Sequence, residues 1–281
     1  MKTAVTVVAA GFAAMVGASA ARAQDKGRFT LANPTPRELM REMSTDRPDT
    51  TESPYSVDAG HFQVELSLLD FTHDDAGGVE TDTLVVLPSN VKVGLLNNVD
   101  IQFVIDPYVN QRAGVGGGRS SRREGFGDAQ VRVKVNLLGN DDGPVAVAVM
   151  PYLTFPTAAD DLGAGRVEGG LIVPVAVALP AGFGLGAMLE VGFVRDADDA
   201  GYGTAVLHTV TLGRAIAGDL GGYVEYAGTT FIDAGATYAA VVGVGLTYGL
   251  GPDVQLDAGV NVGVSDSADD YNVFAGVSFR I

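Results

Sequence analysis

Charged and amide side chains recur at every second position in several stretches of this 281-residue sequence. Rows of this kind suit the wall of a water-filled interior, where they hydrogen-bond a solute and filter it by size and polarity. The same side chains could instead pair with one another and fill that interior, so both roles stay open. The candidate lumen-lining residues are His61, Gln63, Glu65, Lys92, Asp100, Gln102, Asp106, Gln130, Arg132, Lys134, Glu168, Glu190, Glu225, Gln255, Asp257, Asn261 and Arg280.

The positions between these polar residues are apolar. Val64 and Leu66 enclose Glu65, for example, and the same alternation returns along most of the chain after residue 55. A period of two places successive side chains on opposite faces of a β-strand. The pattern predicts twelve strands, at residues 57–70, 82–95, 98–109, 127–137, 144–155, 167–179, 183–195, 202–213, 220–228, 237–249, 254–264 and 271–281.

Short and long connections alternate between the predicted strands. The short ones are 96–97, 139–143, 180–182, 214–219 and 250–253, and the long ones are 72–81, 110–126, 156–166, 196–201, 229–236 and 265–270. Short periplasmic turns and longer outer loops are typical of a membrane barrel, and a sheet in lipid must close on itself. The sequence therefore predicts an all-β fold, a transmembrane antiparallel up-and-down β-barrel of about 12 strands over residues 55–281.

Two other folds share part of this pattern. A soluble β-sandwich also alternates, but its strands usually have about five or six residues, whereas the predicted strands are long enough to cross a bilayer. A helical span at residues 171–194 would be almost uncharged, but Pro174, Pro180 and Glu190 disfavour one continuous helix there. Both alternatives are weaker than the barrel.

Residues 1–23 have the form of a cleavable secretory signal. Lys2 gives the positive start, residues 4–18 are apolar, and Ala21-Arg22-Ala23 is a small-x-small cleavage site, so we expect export to the cell outer membrane. Without Lys2 and Arg22 the chain keeps 16 basic against 34 acidic residues, a net charge of −18. That charge makes nucleic acid an unsuitable partner. Because the sequence has no cysteine, disulfides and thiolate chemistry are excluded.

The polar segment 24–54 precedes the first strand and lacks the alternation. Thr35-Pro36-Arg37-Glu38 has the form of a capping box, which predicts a short helix over residues 36–43. We expect this segment to fold into or beneath the barrel as a plug, with Arg37, Arg41, Asp46 and Arg47 meeting charges of the interior. A disordered periplasmic tail is the alternative.

Three runs of sequence resemble a known family. Ser44 to Glu65, reading STDRPDTTESPYSVDAGHFQVE, is the specific one, and it is supported by Pro88 to Leu95 and by Gly125 to Asp128. They resemble the opening, second and fourth strands of the MetA-pathway phenol-degradation family of outer-membrane transporter-like proteins. The resemblance covers essentially the whole chain after residue 23. It implies a barrel that passes small hydrophobic or aromatic compounds.

Enzyme chemistry finds little support in the sequence. His61, His73 and His208 are the only histidines, and no Gly-x-Ser-x-Gly or His-Glu-x-x-His motif is present. We therefore predict no catalytic residues, no cofactor and no metal site. The function predicted is diffusion of small solutes across the outer membrane. A barrel without an open pore and a lipid-acting barrel hydrolase are the alternatives.

The predicted partners follow from that location. They are outer-membrane lipid and lipopolysaccharide, a small-molecule solute and the barrel assembly machinery. The sequence also places four arginines in one predicted outer loop, where they could bind lipopolysaccharide phosphates or attract anions, with an ordinary solvated loop as the alternative: Arg112, Arg119, Arg122 and Arg123.

Overall fold

The computed structural model describes residues 26–115, 120–159, 162–195, 201–232 and 237–281. The predicted signal peptide, residues 1–23, lies outside the described residues. The strand segments are β1 (Phe62–Ala76), β2 (Val79–Val86), β3 (Ser89–Leu96), β4 (Val99–Ile105), β5 (Tyr108–Val115), β6 (Ser120–Gly125), β7 (Ala129–Leu138), β8 (Val145–Phe155), β9 (Glu168–Ala178), β10 (Phe183–Arg195), β11 (Tyr202–Ala217), β12 (Leu220–Phe231), β13 (Thr237–Gly249), β14 (Val254–Gly263) and β15 (Tyr271–Arg280). Three single-turn 3-10 helices lie at Lys26–Arg28, Arg37–Leu39 and Pro180–Gly182.

Every pairing in the sheet is antiparallel, the segments β1–β3, β2–β5 and β4–β7 also pair although they are not consecutive, and β15 returns to pair with β1. The sheet therefore closes into a barrel and leaves no free edge where the first and last strands meet. Three spanning strands consist of two segments each: β2 with β3, β4 with β5, and β6 with β7. With β1 and the eight strands from β8 to β15, the barrel has twelve spanning strands, so the predicted fold is confirmed.

In the first four spanning strands, the alternation of inward and outward residues is interrupted at the same height in the barrel. In β1 the register shifts between Ser67 and Leu69. The other three are interrupted at residues 87–88, 106–107 and 126–128. Pro88 and Pro107 lie in two of these gaps, and proline lacks the N–H that a sheet ladder needs. Each gap moves the inward face by one residue: around the gap at 106–107, for example, the inward residues are Val104 and Asp106 and then Val109.

The outer face of the barrel is apolar. Leu171, Leu189, Val210 and Leu246 each expose between 44 and 51% of their surface, although they lie in the middle of long strands. Their neighbours along each strand face the interior and are buried or half-buried. Exposed apolar side chains at every second position form a band that hydrocarbon, rather than water, solvates. Among the described residues, no helix is long and apolar enough to cross a membrane.

Several predicted boundaries are wrong. The first strand begins at Phe62 rather than at residue 57, because the chain turns beneath the barrel there and Gly60 N donates to Gly94 O. At the opposite end, residues 72–76 and 110–115 continue as strand instead of loop, and β1 and β2 meet at a tight turn through Gly77 and Gly78. Glycine suits that turn because both residues have positive φ.

The predicted helix over residues 36–43 is also wrong. Only Arg37–Leu39 forms a 3-10 turn, and no side chain caps it. The chain is extended from Met40. Contacts with the folded chain take the backbone groups that a helix would use, since Arg41 N donates to Asp58 Oδ2 over 3.0 Å.

The lipid-facing band leads to a stability prediction. Val210→Arg places a charge near the middle of β11 on the outer face, and we expect a loss of about 2–4 kcal/mol in unfolding free energy. Leu250→Arg, in the turn between β13 and β14, is the matched control with a cost of about 0–1 kcal/mol. Denaturant unfolding in lipid vesicles measures both. Equal costs for the two variants would contradict the assignment of the outer face to lipid.

Candidate functional site

Residues 26–60 run inside and beneath the end of the barrel that carries the short turns. Thr30 forms a bridge with Leu96, and Thr35 N donates to Ala59 O. Between them and β1, residues 44–56 form a loop that enters the lumen, which we call the plug loop. Its neck is closed by the Ser44 and Ser53 hydroxyls, 2.7 Å apart, and by Ser53 N donating to Asp46 Oδ1 over 2.9 Å.

Asp46 anchors the plug loop to the wall through two lysines. Lys134 Nζ donates to Asp46 Oδ1 over 2.8 Å, and Lys92 Nζ contacts both the Asp46 and the Glu65 carboxylates. All four side chains are buried. Burial alone would raise the pKa of the Asp46 carboxyl, but the charges and hydrogen bonds of Lys134 and Lys92 outweigh it and lower that pKa. Asp46 is therefore ionised, and both lysines have a carboxylate partner.

Glu65 also holds the backbone of the plug loop. Its carboxylate accepts hydrogen bonds from Asp46 N at 3.0 Å and from Arg47 N at 3.0 Å. Gln63 Nε2 completes the contact by donating to Glu65 Oε1 and to Ser44 O, each over 2.8 Å. The fold of the loop fixes the positions of these backbone donors. Their bonds to Glu65 therefore set the height of the plug loop in the lumen.

Arg47 reaches across to a second carboxylate. Its Nη2 and Nε lie 2.7 and 3.3 Å from the Asp257 carboxylate, in a two-pronged contact, and its Nη1 bonds the Ser67 hydroxyl. The guanidinium passes over Gly276, where a Cβ atom would lie 2.4 Å from Arg47 Nη2. Glycine is needed at this position because any side chain would displace the arginine.

The tip of the plug loop binds Glu225 on β12. Thr50 N and Thr51 N donate to its carboxylate over 2.8 and 2.9 Å, and the Thr51 and Thr211 hydroxyls donate to it over 2.7 and 2.8 Å. The Thr51 hydroxyl also lies 2.6 Å from that of Thr209. Four donors satisfy a buried carboxylate without any lysine or arginine. The tip is thus fixed to the wall opposite Lys92 and Lys134.

Beyond the tip, one wall of the lumen is apolar. Met150, Ile172 and Met188 are buried and in contact with Leu207, and Glu52 N lies 3.4 Å from Met188 Sδ. Glu52 itself pairs with Arg132. The polar rows of the sequence do not point to this apolar inner wall, because Met150 and Ile172 lie in strands whose two faces are both largely apolar.

A group of charges closes the rim at the short-turn end. Arg41 contacts Asp58 at 3.3 Å and Asp141 at 2.9 Å, and Arg37 contacts Asp253 at 3.1 Å. Arg280 on the last strand lies 2.9 Å from the same Asp253. Desolvation of Asp141 works against its ionisation, but hydrogen bonds from Lys26 and Asn97 and the charge of Arg41 lower its pKa. These pairs hold the base of the N-terminal segment to the turns.

Most candidate lumen-lining residues therefore meet in one contact network with the N-terminal segment. The wall residues in it are His61, Gln63, Glu65, Lys92, Asp100, Arg132, Lys134, Glu225, Gln255, Asp257 and Arg280. Gln102 donates to Asp100 within it. The others lie inside the barrel away from the plug loop: Asp106 and Gln130 beside a cavity, Glu168, Glu190 bonded by Tyr152, and Asn261 bonded to Asn272.

The three histidines lie far apart in the fold. His61 contacts Thr35 O at 2.7 Å in the base of the barrel, and His73 contacts Asp82 at 2.7 Å near the β1–β2 turn. His208 faces outward and stacks on Tyr238 with ring centroids 6.1 Å apart. Among the described residues, no group of three or more His, Asp or Glu side chains could hold a metal ion.

A cavity of about 400 Å³ lies beyond the plug loop, toward the long loops. It adjoins the breaks at residues 106–107 and 126–128, and Arg132 separates it from Glu52 of the plug loop. Its lining mixes polar and apolar side chains: Thr83, Val85, Val104, Asp106, Val109, Gln111, Gly127, Asp128, Gln130, Arg132, Thr154 and Leu162. A space of this size is in the range of small-molecule sites.

The chain belongs to a known protein family. A family model described as "Putative MetA-pathway of phenol degradation" matches residues 45–281, and so includes most of the plug loop and the whole barrel. The resemblance noted in the sequence is thereby confirmed. No curated protein sequence matches the chain.

Solved structures share the fold at low sequence identity. An outer membrane channel from Pseudomonas putida F1 is 14% identical with a TM-score of 0.63, covering 85% of this chain and 100% of that one. The beta domain of the Bordetella autotransporter BrkA is 14% identical with a TM-score of 0.53, covering 79% and 98%. The NanC porin is 12% identical with a TM-score of 0.50, covering 76% and 100%. The chain is thus an outer-membrane β-barrel of this family.

The contact network leads to a prediction about Asp46. Asp46→Ala leaves Lys134 buried without a carboxylate, so we expect the unfolding free energy to fall by about 3–5 kcal/mol. The double variant Asp46→Ala with Lys134→Met removes the unpaired charge and should recover part of the loss. Denaturant unfolding in detergent measures both, with Asp142→Ala in an exposed turn as the control. A double variant less stable than Asp46→Ala would contradict this pairing.

Proposed function

We propose that this barrel is an outer-membrane channel for small solutes whose short-turn end is closed by the plug loop. The observation that carries the proposal is the combination of a lumen cavity with a plug held by polar contacts. The cavity offers a place for a solute between the long loops and the plug loop. Because the plug is bound by charges and hydrogen bonds rather than by an apolar core, it can exchange these partners for water as it moves.

Family membership supports a small, hydrophobic or aromatic cargo. The likeness to a channel and a porin supports passage across the membrane rather than catalysis. The apolar inner wall near Met150 and Ile172 would give such a solute a surface to follow once the plug loop is displaced. Passage would then require two steps, occupation of the cavity and displacement of the plug loop.

Solute flux through the purified full chain tests this function. In the test variant, residues 45–52 are replaced by glycine and serine at the same length, which removes their side-chain contacts and preserves the path of the chain. We expect brief and rare openings from the native protein in planar bilayers, and a stable conductance several times larger from the variant. A matched replacement of exposed Glu38 by serine should leave the native behaviour unchanged.

The same flux measurement also distinguishes the channel from a second candidate function, a barrel without an open pore. The tight contact of the plug loop with both walls favours a barrel that never opens and serves as a surface or structural protein. In that case neither protein passes solute from vesicles loaded with small sugars and aromatics. Absence of flux from the variant, with the barrel shown to be folded, would contradict the channel.

Lipid and lipopolysaccharide are the proposed neighbours of the outer face. Arg112 and Arg122 oppose each other across β5 and β6 and are both exposed, and Arg122 lies 2.6 Å from Glu124. The other predicted members of this basic group are Arg123, which is on β6, and Arg119, which lies outside the described residues. Exposed arginines at the long-loop end suit lipopolysaccharide phosphates. Handling by the barrel assembly machinery stays a prediction.

A further inference from the structure

The hydrogen-bonding capacity of the cavity is unevenly used. Gln111 Nε2 donates to the Thr83 hydroxyl over 3.4 Å, and Gln130 Nε2 donates to the Thr154 hydroxyl over 2.9 Å. Arg132 donates to Gln130 and to Glu52. Each of these three side chains thus already donates to another protein group.

The two carboxylates that line the cavity differ in the hydrogen bonds that they accept. Asp128 accepts Ala158 N and Ala164 N over 3.0 and 2.8 Å, and so holds the loop between β8 and β9. Within the described part of the chain, the Asp106 carboxylate has no hydrogen-bond partner, although its main-chain oxygen accepts Gly127 N over 2.9 Å. Asp106 is thus the acceptor that the cavity leaves available.

The backbone break explains why this carboxylate lies at the cavity. Asp106 is the first residue of the gap at 106–107, and its side chain lies over Gly127 of the neighbouring gap. A Cβ atom on Gly127 would come 2.7 Å from Asp106 Cβ and 3.1 Å from Oδ2. The two interruptions therefore make room for one carboxylate between the strands.

The charges near the cavity add to the effect of Asp106. Asp70 and Asp128 are the charged groups that act on it electrostatically, and both are negative. The positive group of the lining, Arg132, is already paired with Glu52. The lining of the same cavity includes the apolar side chains of Val85, Val104 and Val109. A ligand that fits has a positive, hydrogen-bond-donating group and a small apolar body.

We propose that the cavity is a binding site for small organic ammonium ions, with Asp106 as the residue that accepts the ammonium group. The inference rests on the proposed function in that it names a solute class for the cavity on the solute's route. The ammonium N–H groups donate to the Asp106 carboxylate, and the carbon skeleton lies against the three valines. Carboxylate-bearing solutes of the same shape are disfavoured, because Asp106 and its neighbours Asp70 and Asp128 carry charge of the same sign.

Three probes of equal ring size test the site by calorimetry on the full chain in detergent: benzylammonium, benzyl alcohol and benzoate. We expect benzylammonium to bind tighter than benzyl alcohol by on the order of tenfold, the effect of one charge-assisted hydrogen bond, and benzoate to bind weakest. Asp106→Asn should remove the preference for the cation and leave benzyl alcohol unchanged. Asp106→Glu should keep the preference, and Asp142→Asn should bind like the native chain.

Two results would overturn the site: equal binding of benzoate and benzylammonium, or an unchanged preference in a folded Asp106→Asn barrel. The measurement does not depend on conduction. Binding as expected with no flux through the plug-loop variant would contradict the proposed channel and leave the ammonium site standing. Flux through the plug-loop variant without a preference for the cation would support the proposed channel and contradict the ammonium site.

Discussion

The buried charges of the lumen govern the rest of this structure. A barrel of twelve strands encloses carboxylates and ammonium groups that water cannot fully solvate once the plug loop is in place, and a buried charge is costly there unless it has a partner. Asp46, between Lys92 and Lys134, is the central case, and Arg47 with Asp257 and the loop tip with Glu225 follow the same rule. The plug loop and the wall are therefore complementary surfaces, and a change on one side leaves an uncompensated charge on the other.

That complementarity also divides the interior into two parts. At the short-turn end, the plug loop pairs with the charges of the wall and contacts opposite walls of the barrel. Above, where β1 to β7 shift their inward face by one residue, the strands are interrupted and a cavity of about 400 Å³ remains. Asp106 lies at this boundary, in the gap between β4 and β5, next to Pro107, which has no N–H to continue the ladder. A solute would therefore meet the cavity before it meets the plug loop.

Much of the fold could be predicted from the sequence, because a strand with one lipid face and one polar face has a clear period of two. The strand count was predicted in this way, and so was the closure of the sheet. The predicted helix over residues 36–43 is wrong, since the local capping pattern is outweighed by contacts such as Arg41 with Asp58 that are distant in sequence. The interruptions of the strands at residues 87–88, 106–107 and 126–128 were not predicted either, because alternation within a short stretch does not reveal a one-residue shift between its inward and outward faces. The partners of Asp46 and Arg47 needed the three-dimensional register of β3, β7 and β14.

The position of the plug loop is the central claim, and an engineered disulfide tests it most directly. The chain has no native cysteine, so Thr51→Cys with Thr209→Cys introduces a single pair. The two hydroxyls are 2.6 Å apart, and the account predicts nearly complete cross-linking of the native barrel in membranes, seen as a mobility change that a reductant reverses. Thr51→Cys with Val210→Cys, whose second cysteine faces lipid, should not cross-link. Failure of the first pair to cross-link in a folded barrel, or equal cross-linking of both pairs, would contradict the account.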